Sequence, residues 1–528
     1  MPSSPGVAQT STYNRNVVAF AALGSMVSVL FPYRHVCVML GLSSLDTQAF
    51  SQMQLLDLRI WRLHHLEHHR PAGLVHVLRP PPTGEPGYAE ITTPAIATAN
   101  GLLSAGAAVA CLAVMWTGDR FGRIRNLQAA SLLGVLGGAL QGGAANLAMF
   151  QAGRFVMGLC IGLMVTVTPM YLSEISSPRR RGWLVGHHAI FLVFGYMLAS
   201  WIGYAVYFAP NAAFGWRFPL CFQVVPPLVL LVGTPWLPQS PRWLVSRNRH
   251  DEAWTELRRL RKSPEDLDDA VAREELREIQ DQIALDRRKL MVWGGSPWRA
   301  VLSKRSYQKR MVIGFLTQWG AEFGGPLIIN NYAVILYEGL GQKGSMPLLL
   351  SALWITTAAL IYNPGGAWLH DKVNSRRWMF ITGFIGIIIT TSCLAAMIAC
   401  FAGTDNRAGN AMGVFFIFLY LAFQGTFCDT TMYIYISEIF PTEIRSIGMG
   451  FSLFGQFAAT IILLQTAPIG FAAVGWKYFL VVICWSVVFV PIIYFFFPET
   501  SQLSLEEVEK QFGDEVVTHI TQEREGKI

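Results

Sequence analysis

Apolar runs, each long enough to cross a lipid bilayer, most strongly constrain what this chain can fold into. Hydrophobic residues form 52% of the sequence and charged residues only 14%, and the charges cluster between the runs. A helix needs about 20 apolar residues to cross the hydrocarbon core of a membrane. Eleven spans are therefore predicted, at roughly 95–116, 127–147, 150–172, 184–208, 217–237, 311–337, 346–369, 378–402, 411–437, 446–470 and 477–497. The pattern indicates an all-α membrane protein.

The region before these spans is anomalous. A twelfth span should begin near Val17, but its apolar run stops at Pro32. Residues 43–90 are rich in His and Arg and show no clean period, so we interpret them as an atypical extramembrane insertion. Two alternatives stay open: the HHLEHH cluster at 64–69 has the i,i+4 histidine spacing of a zinc site, or residues 27–87 are not authentic coding sequence and disrupt helix 1.

The end of one span and the charged residues that follow it recur in the second half of the chain. YLSEISSPRRR at 171–181 is matched by YISEIFPTEIR at 435–445. A membrane helix and its exit, repeated half a chain apart, indicate two copies of one bundle.

The basic residues predict the orientation of the spans. They concentrate in the short loops 118–126, 174–184 and 370–378. Even numbers of predicted spans separate these loops, so they lie on the same side of the membrane. Their excess of basic residues indicates that this side is the cytoplasm. Both termini then lie on that side, together with the strongly charged segment after the fifth listed span. The net charge of +7 follows from these loops and does not indicate a nucleic-acid partner.

The predicted domain organisation has five parts. They are a cytoplasmic N-terminus (1–15), an N-terminal six-helix bundle (16–237), a cytoplasmic linker with short helices (238–310), a C-terminal six-helix bundle (311–497) and a cytoplasmic tail (498–528).

Charged residues at the span ends are predicted to form a cytoplasmic gate. Ion pairs that form when these ends close and break when they separate would bias a two-state equilibrium. The alternative is that they only anchor the topology. The gate candidates are Asp119, Arg120, Arg123, Arg154, Glu174, Arg181, Asp371, Arg376, Glu438 and Arg445.

Six motifs resemble those of the sugar porters of the major facilitator superfamily. In order they are GDRFGR (118–123), GRFVMGLCIG with PMYLSEISSPRRRG (153–182), PQSPRWL (238–244), DKVNSRR (371–377), SEIFPTEIR (437–445) and PETSQLSLEE (498–507). The family has Glu where this chain has Gln239, and a Lys-Gly pair that the last motif lacks. The resemblance implies a major facilitator fold, with twelve transmembrane helices in two six-helix bundles, a central cavity and alternating access.

The family's substrate positions carry other residues in this chain. A Gln pair and a following Asn in helix 7 of the family fall at Ala321, Glu322 and Leu327, and its helix 10 Trp falls at Tyr433. Gly-Gly-Pro at 324–326 predicts a broken helix that faces a cavity. The candidate substrate-binding residues are Gln318, Glu322, Asn330, Asn331, Tyr433, Gln456, Phe457 and His188.

Two carboxylates fall inside predicted spans, Glu322 and Asp429. A charge at mid-bilayer costs at least about 2.5–3.5 kcal/mol, so each must be paired, protonated or functional. Both are therefore candidates for proton coupling. Proton-coupled members of the family usually place an Asp in helix 1, whereas the first Asp here is Asp46, so symport and facilitated diffusion both stay open.

These observations predict a plasma-membrane transporter of a sugar, polyol or related small polar solute, monomeric in the lipid bilayer. A transport-inactive nutrient sensor on the same fold, and a product with a disrupted helix 1, are the alternatives. The sequence shows no nucleophile–base set and no metal cluster at a plausible site, so we expect neither an enzyme nor a cofactor.

Overall fold

The computed structural model describes residues 88–176, 181–209, 212–261, 269–373, 375–404, 406–501 and 510–513. Within these residues the chain forms helices and no strand, which confirms the predicted all-α class. The span expected from Val17 and the HHLEHH cluster lie outside the described residues.

Six helices form the first half. They are α1 (Tyr88–Phe121), α2 (Arg123–Gly142), α3 (Leu147–Ile175), α4 (Arg181–Tyr207), α5 (Ala212–Phe222) and α6 (Val225–Gly233). Gly122 makes the sharp turn from α1 to α2 with a φ of 83°, a left-handed conformation that favours glycine. The Asn146 side chain caps α3 by accepting a hydrogen bond from the Met149 N–H at 2.8 Å.

Four short helices follow in the charged linker: α7 (Pro241–Ser246), α8 (His250–Arg261), α9 (Ala270–Met291) and α10 (Pro297–Ser303). Apolar residues of α7, α8 and α9 pack into a small core of their own. Arg261 pairs with both oxygens of Glu275 at 2.6 and 2.8 Å, and it also donates to the Ile175 carbonyl at 3.2 Å. The linker is thus attached to the end of α3.

Nine helices form the second half. They are α11 (Arg305–Phe323), α12 (Pro326–Gly339), α13 (Met346–Thr357), α14 (Asn363–Lys372), α15 (Arg376–Phe401), α16 (Arg407–Phe423), α17 (Thr430–Ile439), α18 (Arg445–Val474) and α19 (Phe479–Phe496). One π-helical turn, Ala358–Tyr362, joins α13 to α14, and another, Gln424–Asp429, joins α16 to α17. The break between α11 and α12 falls at Gly325, whose φ is 92°, which confirms the break predicted from Gly-Gly-Pro.

Nine spans within the described residues are long and apolar enough to cross a membrane. They correspond to nine of the eleven predicted spans. The other two predicted spans, 127–147 and 311–337, coincide with α2 and with the broken α11–α12 pair. α2 begins with a polar turn, and the break at Gly325 divides 311–337 into two shorter helices.

The two halves meet closely along α1 and α18. A Cβ atom added to Gly450 would lie 2.6 Å from the Cys111 carbonyl oxygen, and one added to Gly101 would lie 2.4 Å from Gln465 Nε2. The contact at Gly450 requires glycine, because the Cys111 backbone oxygen cannot move away as a side chain could. This contact brings the first half against the second on one side of the cavity described below.

Candidate functional site

A cavity of about 100 Å³ lies between helices of both halves. From the first half, α3 and α4 contribute Ile161, Val165, Ala189, Leu192, Val193 and Tyr196. Except for the Tyr196 hydroxyl, the polar groups of the described lining come from the second half. The cavity therefore has one mainly apolar wall and one polar wall.

Glu322 organises the polar wall. It lies one turn before the break in the helix, at the end of α11. Gln456 Nε2, on α18, donates to Glu322 Oε1 at 2.8 Å and contacts the Tyr433 hydroxyl at 3.4 Å. The Tyr420 hydroxyl donates to the Gly324 carbonyl at 2.9 Å, which satisfies a backbone acceptor that the break exposes.

Asp429 is the second carboxylate of this wall. Its Oδ1 accepts a hydrogen bond from Gln424 Nε2 at 3.1 Å. Residues five apart point in different directions on an α-helix, which has 3.6 residues per turn. The π-helical turn Gln424–Asp429 widens the helix and brings both side chains to the cavity.

Five of the eight predicted substrate-binding residues line the cavity: Glu322, Asn330, Tyr433, Gln456 and Phe457.

The other three candidates are not among the residues that line the cavity, and their role in substrate binding stays a prediction. Gln318 donates to the Met432 carbonyl at 3.3 Å, and Asn331 donates to the Leu327 carbonyl of its own helix at 2.9 Å. His188 packs its ring edge against Tyr433, with centroids 5.2 Å apart, and is fully buried behind it. These side chains support the wall and do not line it.

Five further residues with polar atoms or large rings line the cavity that the sequence analysis did not name: Tyr196, Trp354, Tyr420, Gln424 and Thr460. Gln424 had a usable signal, because it stands five residues before an intramembrane aspartate. In a regular α-helix, residues five apart point in different directions, so the sequence did not indicate that Gln424 and Asp429 face the same cavity.

In the described residues, each half has an ion pair at the end that carries the repeated motifs, buried in the first half and partly buried in the second. Arg123 contacts Glu174 Oε1 at 2.6 Å, with side-chain exposures of 5% and 1%, and Asp119 Oδ1 at 3.3 Å. Arg376 contacts Glu438 Oε1 at 3.3 Å. The repeated carboxylates Glu174 and Glu438 thus hold equivalent partners.

Ser446 makes polar contacts between the two halves at this end. Ser446 Oγ, at the start of α18, donates to Asp119 Oδ1, at the end of α1, at 2.6 Å. Asp119 also contacts Arg123, so it connects the Arg123–Glu174 pair of the first half to Ser446 of the second half. This end of the molecule is closed in the structure.

Two other gate candidates have different contacts. Arg154 precedes Glu174 by 20 residues on α3, which places it about 30 Å away at the opposite end, where it donates to Asn100 Oδ1 at 3.2 Å. Arg120 is exposed, with its guanidinium 4.5 Å from the centre of the Trp116 ring. Placing Arg154 in the cytoplasmic gate was therefore wrong, whereas Arg120 lies next to Asp119 at the gate end and its predicted role stays a prediction.

Arg445 does bind at the gate, although to backbone. It donates to the Phe440 carbonyl at 3.3 and 3.4 Å. The side chains of Arg181 and Asp371 lie outside the described part of the structure, so their predicted roles stay predictions.

Comparison with known proteins agrees with this arrangement. Residues 64–512 match the family described as "Sugar (and other) transporter". The MFS-type transporter criB of Aspergillus cristatus is 30% identical over 424 residues, which cover 80% of this chain and 86% of that protein. The arabinose-proton symporter of Escherichia coli K12 is 28% identical over 412 residues, covering 77% and 83%. The high-affinity glucose transporter of Kluyveromyces lactis is 27% identical over 414 residues, covering 75% and 74%.

Solved structures show the same fold. The major facilitator proton:xylose symporter XylE, bound to 6-bromo-6-deoxy-D-glucose, superposes with a TM-score of 0.75 at 20% identity, covering 95% of this chain and all of that one. The inward-open conformation of XylE from E. coli gives 0.66 at 18% identity, covering 94% and 100%. The chain belongs to the sugar transporter family of the major facilitator superfamily.

Proposed function

We propose that this protein moves a sugar or a related small polar solute across a membrane by alternating access. The observation that carries the proposal is the cavity itself: it lies between the two halves, has polar groups on one wall, and is closed at the end that bears the Asp119–Ser446 bond. Opening that end while the opposite end closes would expose the same groups to the other side.

The repeated ion pairs fit the role of a latch. The Arg123–Glu174 contact holds α2 to α3, and Arg123 also positions Asp119 toward Ser446. Separation of the halves at this end must break the bond between Asp119 and Ser446, whereas each ion pair stays within its own half. A coupling free energy of about 1–3 kcal/mol between solute and latch would shift the populations 5- to 150-fold.

Proton coupling is the second part of the proposal, with Glu322 and Asp429 as the sites. Both line the cavity, and a mid-membrane carboxylate is costly unless it is protonated or paired. A related protein is named as an arabinose-proton symporter, which supports coupling here. The protein would act as a monomer in the plasma membrane, with both termini in the cytoplasm and the domain boundaries 1–15, 16–237, 238–310, 311–497 and 498–528.

Uptake into transporter-null cells tests the proposal. Cells that express the chain should accumulate at least one radiolabelled hexose, pentose or polyol with saturable kinetics, above cells that carry the empty vector. Membrane staining of the tagged protein controls for delivery to the cell surface. Correctly delivered protein without saturable uptake of any solute would refute transport.

A further inference from the structure

Several residues that line the cavity have buried acceptor oxygens without a hydrogen-bond partner. Four described lining residues each contribute a buried one: Glu322 Oε2, Asn330 Oδ1, Gln424 Oε1 and Gln456 Oε1. Glu322, Asn330 and Gln424 are only 5%, 7% and 1% exposed. Among the described lining residues, no buried side-chain donor lacks a hydrogen-bond partner. Leaving such groups unsatisfied costs about 1–3 kcal/mol each, so the wall is suited to a ligand that supplies donors.

The orientation of two amides produces this excess of acceptors. Gln456 directs its Nε2 at Glu322, and Gln424 directs its Nε2 at Asp429. An ionised carboxylate only accepts hydrogen bonds, so it requires the nitrogen end of each amide. Both amide oxygens are then left for another donor.

Charge leads to the same conclusion. Glu322 and Asp429 line one cavity, and none of its described lining residues is Lys, Arg or His. Neither carboxylate has a cationic partner within the described part of the chain. Two carboxylates in a poorly hydrated site favour a bound cation over an anion or a neutral molecule.

The rest of the lining distinguishes an organic cation from an inorganic one. Rings of Trp354, Tyr433 and Phe457 line the same cavity, and aromatic rings attract ammonium groups while also packing against carbon. An inorganic ion would use the oxygens and leave these rings and the apolar wall of α3 and α4 without a role.

We propose that the solute of this transporter carries a protonated amine, as an amino sugar or amino polyol does. The ammonium would donate to Glu322 or Asp429 and to the amide oxygens of Gln456 and Gln424, while the carbon skeleton packs on the aromatic and apolar wall. This inference rests on the proposed transport function and narrows its substrate class.

Binding to the purified full-length protein tests the inference. The probes are radiolabelled D-glucosamine and two matched neutral sugars, N-acetyl-D-glucosamine and D-glucose, at about pH 6, where an amine of this class is protonated. D-glucosamine should bind at least about 10-fold more tightly than either neutral sugar. Since a hydrogen bond to a charged group contributes about 1.5–3 kcal/mol, Glu322→Gln and Asp429→Asn should each weaken D-glucosamine binding roughly 10- to 100-fold and thereby reduce its preference over the neutral sugars.

The control variant is Glu278→Gln, which removes an exposed carboxylate from linker helix α9 and should change no affinity. Size-exclusion profiles check that each variant is folded. The comparison of three sugars on the unmodified protein needs no variant.

The outcomes separate this inference from the transport function. Equal affinity for the three sugars, no binding of any of them, or a preference unchanged in both variants would overturn the inference. Binding that requires Na⁺ over K⁺ and ignores the amine would also overturn it and assign the oxygens to an inorganic ion. D-glucosamine binding without uptake into proteoliposomes would support the inference and refute transport. Equal uptake of all three sugars would support transport and refute the inference.

Discussion

Arg123 and Glu174 show how much a single buried contact contributes at the closed end. Their charged groups are 2.6 Å apart and almost wholly removed from solvent. Removing two charges from water is costly, and only close geometry with further hydrogen bonds offsets that cost. Arg123 has such bonds, because it also donates to the Gly118 carbonyl at 3.0 Å. The pair therefore stabilises one arrangement of the ends of α1, α2 and α3.

Glu174→Gln should lower the free energy of unfolding and impair uptake. Removing one partner of a buried pair costs about 3–5 kcal/mol. We expect the lower end, because Asp119 remains 3.3 Å from the guanidinium. Thermal denaturation of the purified protein measures the change. The neighbouring exposed Arg125 is the control, since Arg125→Ala should stay within about 0.5 kcal/mol. Equal melting of wild type and Glu174→Gln would contradict the prediction.

At the scale of helices, the repeat extends beyond the charged residues to a tyrosine. The Tyr171 hydroxyl on α3 donates to the Pro238 carbonyl at 2.8 Å, and the Tyr435 hydroxyl on α17 donates to the Pro498 carbonyl at 3.1 Å. Each bond ties a motif helix to the segment that follows the last membrane helix of its half. Both tyrosines are fully buried. The two halves therefore contain the same tyrosine-to-carbonyl hydrogen bond at equivalent positions.

Tyr171→Phe and Tyr435→Phe should therefore destabilise the protein by similar amounts. Each removes one buried hydrogen bond, for which we expect a loss of about 1 kcal/mol. Denaturation of both variants in the same detergent measures it. A large effect of one variant with none of the other would show that the two hydrogen bonds are not equivalent.

The second half has one support that the first half lacks. Glu499 accepts from the Arg376 and Arg377 N–H groups at 2.7 and 3.3 Å and caps α15 together with Ser375. Its counterpart in the first half is Gln239, and the start of α2 has no side-chain cap. The substitution noticed in the motif thus coincides with a structural difference between the halves.

Gly450→Val should weaken the closed state by wedging α1 and α18 apart. The added Cβ would meet the Cys111 carbonyl at 2.6 Å, and that backbone oxygen has little freedom to move. Cys111 is buried in the structure, so its labelling by a maleimide, followed by mass spectrometry, should speed up severalfold. Gly339→Ala is the control, because a Cβ there meets nothing within 4 Å. Unchanged labelling in Gly450→Val would contradict a tight α1–α18 contact.

At the scale of the whole molecule, the cavity lies where the two halves can separate, and its carboxylates belong to the second half alone. Any ion that binds them therefore acts on one half. The first half responds through shared surfaces such as α1 against α18. This asymmetry supports the proposal that Glu322 and Asp429 couple an ion gradient to alternating access.

If protons drive transport, adding a transported solute to lightly buffered cells should make the medium more alkaline. At a solute concentration that saturates the weakened site, Glu322→Gln or Asp429→Asn should abolish accumulation against a gradient while leaving exchange of internal for external solute, because exchange needs no net proton movement. A pH electrode and counterflow in proteoliposomes measure the two effects. Uptake that an uncoupler leaves unchanged would refute the coupled mechanism.

Much of this architecture could be predicted from the sequence. Nine of the eleven predicted spans coincide with spans in the structure, and the repeated Glu174 and Glu438 do hold equivalent arginines. Hydropathy and motif spacing are local properties, and a bilayer forces such runs into helices. Arg154 shows the limit of this reasoning, because membership of a motif does not state at which end of a helix a residue stands.

By itself the sequence determined the all-α membrane class, the family, the break at Gly-Gly-Pro and six residues of the cavity wall, with Asp429 among them. Only the tertiary structure decided that Asp119 meets Ser446 and that Gln424 turns to Asp429. The first contact joins residues 327 positions apart, and the second depends on a π-helical turn. The physical reason is that packing between helices determines both contacts. Local sequence patterns indicate only which residues of a segment are buried.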